Sequence, residues 1–265
     1  MQVQHPIVWK MLRINPFLFK IILCGIFLPT TVCGEPGLLS PPARNWGFTS
    51  LFGTFDRAAL QRGFQVYKEV CSACHGLKRV SYRNLSALGF NQNEIKAIAA
   101  EADVTDGPND EGQMFQRKGL PADSFVGPYA NDKAARAANN GALPPDQSLI
   151  VKARSGGADY IYALLTGYTS PPFGVTVEEG RHYNPYFPGG LISMAPPLTE
   201  GQVSYADGTK ASVEQMAQDV VEFLSWAAEP ELEQRKQMGV KVLLYLTFMV
   251  IIFYLTYRKI WRDVK

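Results

Sequence analysis

The clearest periodic pattern of apolar positions in the chain lies between residues 56 and 75. Apolar or sulfur-bearing side chains recur there at steps of three and four residues, as on one face of an α-helix. They are Leu60, Phe64, Tyr67, Val70, Cys71 and Cys74. Asp56 stands where a helix N-cap is expected, because its carboxylate can accept hydrogen bonds from free backbone N–H groups. The pattern predicts an amphipathic helix after Asp56 whose buried stripe leads to the two cysteines.

A second amphipathic helix is predicted about 140 residues further along the chain. Ser212 and Gln215 have the spacing of a capping box, and Pro230 ends the pattern because proline cannot continue a helix. The predicted apolar face consists of Val213, Met216, Ala217, Val220, Phe223, Leu224 and Ala227. Met216 is therefore expected in the core.

Shorter helical patterns cover residues 94–100, 132–138 and 158–165, and Gly167 ends the last one. Strand patterns are sparse and no internal repeat is found. The connecting segments are rich in proline and glycine, including Pro144-Pro145, Pro171-Pro172 and Pro196-Pro197. We therefore expect a mainly α fold with long ordered loops. Such loops are tolerated where a bound cofactor supplies the apolar centre of the domain.

The first apolar segment resembles a secretory signal peptide. Lys10 and Arg13 precede a short apolar stretch, and Val32 and Gly34 take the small-residue positions before a cleavage site. We expect residues 1–34 to be this leader, with cleavage after Gly34. Alternatives are an uncleaved N-terminal anchor or, less favoured by the order of residues around Cys24 and Cys33, a lipoprotein signal.

The second apolar segment predicts a transmembrane helix at residues 239–258. Its length of about 30 Å approaches the hydrocarbon thickness of a bilayer. Lys241 can extend to the interface, and a basic tail, residues 259–265, follows at once. The positive-inside rule then places the tail in the cytoplasm and residues 35–238 outside it, as a periplasmic domain. The alternative is a buried core helix, which a terminal basic tail argues against.

Length, charge and cysteine content narrow the class of protein. The 265 residues suit one domain with appendages. The net charge of +2, from 26 basic and 24 acidic residues, excludes the basic footprint of a nucleic-acid-binding protein. If the leader is removed, only Cys71 and Cys74 remain, and they are too close in sequence to form a disulfide framework.

The segment C-S-A-C-H, from Cys71 to His75, carries the chemistry of the chain. C-x-x-C-H is the attachment signature of c-type haem. Two thiols on one helical turn can each add to a vinyl group, and the next residue is then held beneath the iron. A thioredoxin-like redox pair would require a preceding strand, and a zinc site would require a second pair of ligands. Neither pattern is present, so one covalently bound haem c is expected, with His75 as an axial ligand.

The sixth iron ligand is not determined by this motif. The candidates are one histidine and several methionines: His182, Met114, Met194, Met216, Met238 and Met249. Met194 is favoured because the two prolines of M-A-P-P stiffen the loop that presents its thioether, and methionine suits ferrous haem. His182 and an iron with an open position stay as alternatives at this point.

Several longer stretches resemble the cytochrome c1 family, the haem c subunits of ubiquinol–cytochrome c reductase (the cytochrome bc1 complex). The resemblance runs from Trp46 to the C-terminus. The matching stretches include W-G-F at residues 46–48, V-C-S-A-C-H at 70–75, D-G-P-N at 106–109, A-A-R-A-A-N-N-G-A-L-P-P-D at 134–146, A-R-S-G-G-A-D-Y-I-Y-A-L-L-T-G-Y at 153–168, Y-N-P-Y-F-P-G at 183–189, M-A-P-P at 194–197 and D-V-V-E-F-L-S-W-A-A-E-P at 219–230.

The resemblance implies roles for individual residues. Met194 matches the family's methionine ligand, and His182 is then a surface or packing residue. Arg154 matches the arginine that pairs with a haem propionate, and Tyr160 matches a tyrosine near that propionate. Asn139 and Pro145 fall in the haem-pocket loop, where a backbone carbonyl can orient His75.

The same resemblance implies an electron carrier rather than an enzyme in its own right. It implies that a Rieske iron–sulfur protein supplies electrons and that a soluble or membrane-bound cytochrome c accepts them, in a proton-translocating respiratory or photosynthetic chain. The membrane helix would pack against a cytochrome b subunit in a dimeric complex. A secretory leader points to a bacterial inner membrane. The rivals are a haem c subunit of a nitric-oxide reductase or terminal oxidase, an open-iron haem enzyme or gas sensor, and a structural anchor.

One acidic stretch lies within the predicted exported domain. Its members are Glu94, Glu101, Asp103, Asp106, Asp110 and Glu111, and no basic residue occurs between Lys96 and Arg117. A local negative patch can steer a basic protein partner. The stretch is interpreted either as a docking surface for a basic cytochrome c or as an ordinary solvated loop.

Overall fold

The computed structural model of the protein describes residues 39–262, so the predicted leader and the end of the basic tail lie outside the described residues. Seven α-helices are described: α1 (Arg57–Glu69), α2 (Gln92–Ala100), α3 (Asp132–Ala138), α4 (Ile150–Ala153), α5 (Gly157–Thr166), α6 (Val213–Ala228) and α7 (Leu232–Arg262). Short 3₁₀ helices cover Gly47–Thr49, Cys71–Ala73 and Tyr82–Leu88. The prediction of a mainly α fold is confirmed.

The centre of the domain is the contact between α1 and α6, the most extensive between two helices of the described residues. Asp56 caps α1 by accepting hydrogen bonds from the backbone N–H groups of Ala58 and Ala59, as predicted. Along the contact, the ring of Phe223 packs 5.7 Å from the rings of both Phe64 and Tyr67. These apolar faces are buried because the two helices cover each other's stripe.

Gly63 allows α1 and α6 to approach closely. A Cβ atom at this position would lie 2.0 Å from the carbonyl oxygen of Asp219, which is a backbone atom that cannot move aside alone. Any larger residue at position 63 would therefore push the two helices apart. The closeness of the contact explains why Met216, on the facing side of α6, is completely buried.

Two small antiparallel hairpins complete the described domain. Strands β1 (Asp103–Asp106) and β2 (Phe115–Lys118) pair with each other, so that part of the acidic stretch faces the basic residues that follow it. Strands β3 (His182–Tyr183) and β4 (Leu191–Ile192) bring His182 opposite Ile192. The second hairpin fixes the start of the loop that carries Met194.

Helix α7 has the length and composition of a membrane span, and none of its apolar window is buried. It extends beyond the predicted segment at both ends. Its first turns contact the domain through Glu233, which accepts hydrogen bonds from the backbone N–H of Phe55 and from the guanidinium of Arg57. The helix is thus joined directly to the start of α1.

Candidate haem site

The C-x-x-C-H segment forms a tight turn at the end of α1. The backbone N–H groups of Cys74 and His75 both donate to the carbonyl oxygen of Cys71, at 3.1 and 2.9 Å. This turn leaves Cys71 buried and Cys74 exposed, with His75 between them in exposure. The two thiols and the imidazole therefore lie within one five-residue turn, at the edge of the core.

The imidazole of His75 is oriented by a residue far along the chain. Its Nδ1 atom lies 2.8 Å from the carbonyl oxygen of Pro145. A carbonyl can only accept, so Nδ1 carries the proton and Nε2 keeps its lone pair free for a metal. Burial lowers the pKa of His75, against the opposing effect of the Pro145 carbonyl, and so favours the neutral ring that binds metals.

The loop that bears Pro145 is itself attached to the segment after His75. The carboxylate of Asp146 accepts hydrogen bonds from the backbone N–H groups of Lys78 and Ser148, both at 2.9 Å. The N–H of Gln147 donates to the carbonyl oxygen of Gly76 at 2.8 Å. These bonds fix the position of the Pro145 carbonyl relative to the imidazole of His75. No local sequence pattern indicated a role for Asp146, although it lies beside the proline pair.

Tyr67 contributes a further contact from α1. Its hydroxyl donates to the carbonyl oxygen of His75 at 3.3 Å. Burial raises the pKa of Tyr67, so the phenol stays a donor throughout the physiological range. The helical periodicity had assigned Tyr67 only to the buried face.

Met194 follows strand β4 and is half-buried. The hydroxyl of Tyr168 donates to the carbonyl oxygen of Met194 at 3.0 Å and so holds its backbone in place. No local sequence pattern indicated a role for Tyr168, and only its place in the stretch that resembles the family pointed to it. Among the other methionine candidates in the described residues, Met216 is inside the core, Met114 and Met238 are mostly exposed, and Met249 lies on α7.

Arg154 lies just before α5, and Tyr160 lies near the start of α5. Burial raises the pKa of Tyr160, and the charge of the nearby Arg154 guanidinium opposes this rise. Arg154 is exposed, and its guanidinium donates within the described residues only to the carbonyl of its neighbour Ala153. Unused donors on a guanidinium next to a phenol suit a carboxylate ligand.

Asn139 is placed in the loop that follows α3. Its side-chain amide donates to the hydroxyl of Tyr129 at 3.0 Å and to the carbonyl oxygen of Ala135 at 2.7 Å. Asn139 therefore stabilises the loop rather than offering a free donor. Tyr129 also lines a cavity of about 50 Å³ that opens beside Cys74. This loop therefore forms one wall next to the turn of residues 71–75, which is called the attachment turn below.

The described residues that could hold a haem c fit that group chemically. They supply two thiols on one turn, an imidazole with a free Nε2 lone pair, a thioether on a stiffened loop, and a guanidinium with unused donors. His182, by contrast, is part of a strand pair and is half-buried there. Within residues 39–262 no group of three or more His, Cys, Asp or Glu side chains offers another metal site.

Comparison with known proteins identifies the family of this chain. The model of the Cytochrome C1 family matches residues 46–264. "Cytochrome c1" of Rhodospirillum rubrum is 51% identical over 245 residues, covering 86% of this chain and 90% of that protein. "Cytochrome b-c1 complex catalytic subunit, mitochondrial" of Candida albicans is 52% identical over 228 residues, covering 86% and 79%. "Cytochrome b/c1" of Bradyrhizobium diazoefficiens is 46% identical over 245 residues, covering 84% of this chain but 36% of that longer protein.

A helical domain with a C-x-x-C-H turn and a candidate membrane helix defines a c-type cytochrome. More narrowly, the chain belongs to the cytochrome c1 family. Its cofactor is therefore a covalently bound haem c, as the sequence predicted, and it is an electron-transfer protein.

Proposed function

We propose that the chain is the electron-carrier subunit of a ubiquinol–cytochrome c reductase. It accepts electrons one at a time from a Rieske iron–sulfur protein and passes them to a soluble or membrane-bound cytochrome c. The observation that carries the proposal is the attachment turn whose His75 is oriented by the Pro145 carbonyl, within a chain of the cytochrome c1 family. The printed names of relatives as b-c1 complex proteins support it.

The proposed site assigns each residue one task. Cys71 and Cys74 form the thioether links, and His75 and Met194 are the axial ligands of the iron. Arg154 holds a propionate, with Tyr160 beside it. Asn139, Pro145 and the buried wall of α1 orient the ligands and exclude water. When bound, the haem supplies a one-electron couple whose potential a thioether ligand raises.

No substrate bond is formed or broken by this chain in the proposal. Quinol oxidation takes place in partner subunits, and the chain contributes ligands, a dry pocket and a docking surface. It is therefore a carrier within an oxidoreductase rather than an enzyme by itself. The chain would serve a proton-translocating respiratory or photosynthetic pathway.

The proposed location is a bacterial inner membrane with the haem domain in the periplasm. Helix α7 supplies the apolar span, and Arg258, Lys259 and Arg262 close to its end favour a cytoplasmic C-terminus. The exposed apolar side chains of α7 suit both lipid and a cytochrome b subunit, and the complex is proposed to be dimeric. Residues 1–34 are proposed as the cleaved leader, residues 35–238 as the haem domain, residues 239–258 as the span and residues 259–265 as the tail.

The acidic stretch is less negative than its sequence suggests. Ion pairs join Asp103 to Lys118, Asp106 to Arg117, and Glu101 to Lys68. Asp110 and Glu111, at the tip between β1 and β2, are exposed and form no ion pair among the described residues. We therefore limit the proposed docking charge for a basic cytochrome c to this tip.

The test is to purify the tagged chain from mildly solubilised membranes and record a reduced-minus-oxidised spectrum. Bands of both c-type and b-type haem, with quinol-dependent reduction blocked by a quinol-site inhibitor, are expected. A c-type band that comes down with an oxidase or nitric-oxide reductase would overturn the partner assignment and leave the haem assignment intact. A c-type band without any partner would also overturn the partner assignment.

A further inference from the structure

The loop at residues 50–54 presents two large apolar side chains to the outside of the domain. Leu51 and Phe52 are 72% and 76% exposed, although most apolar side chains around them in sequence, such as Phe48 and Phe55, are buried. The loop lies against the first turns of α7. Exposed apolar side chains beside a candidate membrane helix indicate a surface that lipid or another protein covers.

The loop is held in this position by Lys236 of α7. The Nζ atom of Lys236 donates to the carbonyl oxygens of Phe48 and Ser50 at 2.6 Å each, and to that of Gly53 at 3.2 Å. One ammonium thus satisfies three backbone carbonyls, two in the loop and one just before it. Gly53 lets the turn close, because a Cβ atom there would lie 2.1 Å from the carbonyl oxygen of Gly47. The apolar tip is therefore a fixed feature of the structure and not a fraying end.

A groove of about 320 Å³ separates the loop from α7. Leu51 and Phe52 line one side of it, and Val240 and Lys241 line the other. Val240 lies two residues before the uncharged, mainly apolar run that starts at Val242, which is roughly 3 Å along the helix axis. The apolar tip is thus at the level where α7 would enter the hydrocarbon layer.

Lys241 supplies a positive charge at the edge of the groove. It is exposed and forms no ion pair among residues 39–262, in contrast to Lys236, whose ammonium is fully engaged. A cation at the end of an apolar groove suits a phospholipid, whose acyl chain is apolar and whose phosphate is anionic. A soluble protein partner would not require the groove to be level with the start of a membrane span.

We propose that Leu51 and Phe52 insert into the interfacial layer of the membrane that α7 spans, with a phospholipid in the groove and its phosphate at Lys241. The loop is a second membrane contact that, with Lys236 and Glu233, fixes the angle between α7 and the start of α1. This inference rests on the membrane span in the proposed function. Because α1 leads to the attachment turn, the contact would set the orientation of the haem relative to the membrane.

The test uses spin labels on the assembled, haem-loaded full chain in nanodiscs of phosphatidylcholine and phosphatidylglycerol. Labels are placed by Phe52→Cys, Phe173→Cys and Leu246→Cys, in a background with Cys24→Ser and Cys33→Ser. Phe173 is a matched control, because it is also a largely exposed phenylalanine in a loop. Collision rates with oxygen, which partitions into lipid, and with a water-soluble nickel complex are then compared.

The proposal expects the ratio of oxygen to nickel collisions to be severalfold higher at position 52 than at position 173. A label at position 52 that collides mainly with nickel would overturn the proposal, and so would a label shielded from both, since protein would then cover the loop. Position 246 reports on the span itself. If its label meets lipid while that at position 52 meets water, only the loop inference fails; if position 246 is in water, the membrane span of the proposed function fails.

Discussion

Arg62 on α1 and Asp219 on α6 form a two-pronged ion pair at the centre of the domain. The Nε and Nη2 atoms of Arg62 donate to the two carboxylate oxygens of Asp219, at 2.9 Å each. The Asp219 side chain is 1% exposed and the Arg62 side chain 16%. The hydrogen bonds to Asp219 raise the pKa of Arg62, although burial opposes the rise. The pair joins the helix that leads to the attachment turn to its main packing partner.

Replacing Asp219 should strongly destabilise the domain. Asp219→Ala leaves the Arg62 charge partly buried without its main partner, which we expect to lower the free energy of unfolding by on the order of 3 kcal/mol. Denaturant unfolding of the haem-loaded protein measures this change. Asp207→Ala is the control, because Asp207 also pairs with Arg62 but is 43% exposed and should contribute below about 1 kcal/mol. Equal losses for the two variants would contradict the assignment.

Met194→Leu should open the sixth position of the iron. Leucine keeps the size of the side chain but cannot ligate, so the reduced variant should bind carbon monoxide stoichiometrically, with the matching shift of the main haem absorption band. The unaltered protein and Met238→Leu should not react, since Met238 is exposed on α7. An unreactive Met194→Leu protein would assign the sixth ligand to another residue.

Arg154→Gln should lower the reduction potential of the haem by tens of millivolts. A guanidinium beside a propionate disfavours the extra positive charge of the oxidised iron, and glutamine removes that effect. Redox titration of the purified chain measures the change. Arg154→Lys keeps the charge and should retain most of the potential. If both variants keep the original potential, Arg154 is only a solvated loop charge.

Glu222→Gln should make stability less dependent on pH. Glu222 is buried on α6, and burial raises its pKa despite the hydrogen bond it accepts from the N–H of Asp56. A raised pKa in the folded state means that the contribution of Glu222 to stability is complete below the unfolded pKa. It is lost as pH rises through the folded pKa.

The glutamine variant can still accept from Asp56 but cannot ionise. Its stability relative to the unaltered protein should therefore increase as pH rises above about 4.3, the ordinary glutamate pKa. Asp56, Asp219 and Arg62 are the charged neighbours that act on Glu222 in the folded state. Denaturant midpoints over a pH series provide the measurement. A difference between the two proteins that stays constant with pH would show that Glu222 titrates as it does in the unfolded chain.

Charge reversal at the tip between β1 and β2 should slow electron transfer to a basic cytochrome c. Asp110→Lys with Glu111→Lys removes the unpaired negative charges, and a roughly tenfold lower second-order rate constant is expected at low ionic strength. The dependence of the rate on salt should also become weaker. Glu178→Lys with Glu179→Lys is the matched control, as an exposed acidic pair on another loop. An unchanged rate and an unchanged salt dependence for the tip variant would falsify the docking role.

Local sequence patterns were sufficient for the elements that carry their own signal. The stripe of α1, the apolar face of α6 and the apolar run of α7 each follow from the spacing of side chains, because a helix repeats every 3.6 residues. The attachment turn follows from five consecutive residues. Helix α4 and the two hairpins are too short to produce a period, and no sequence pattern predicted them.

The sequence by itself thus determined the class of cofactor, the helix that leads to its site and the apolar run within α7, since these depend on residues close together in the chain. Tertiary structure alone decided the partners of those residues. The Pro145 carbonyl meets His75 across 70 positions, and Lys236 meets Ser50 across 186. The tertiary structure also pairs Asp103 and Asp106 with cationic side chains, which no count of charges along the sequence could reveal. Such contacts depend on how proline- and glycine-rich loops close, and loops have no repeating spacing from which their course can be predicted.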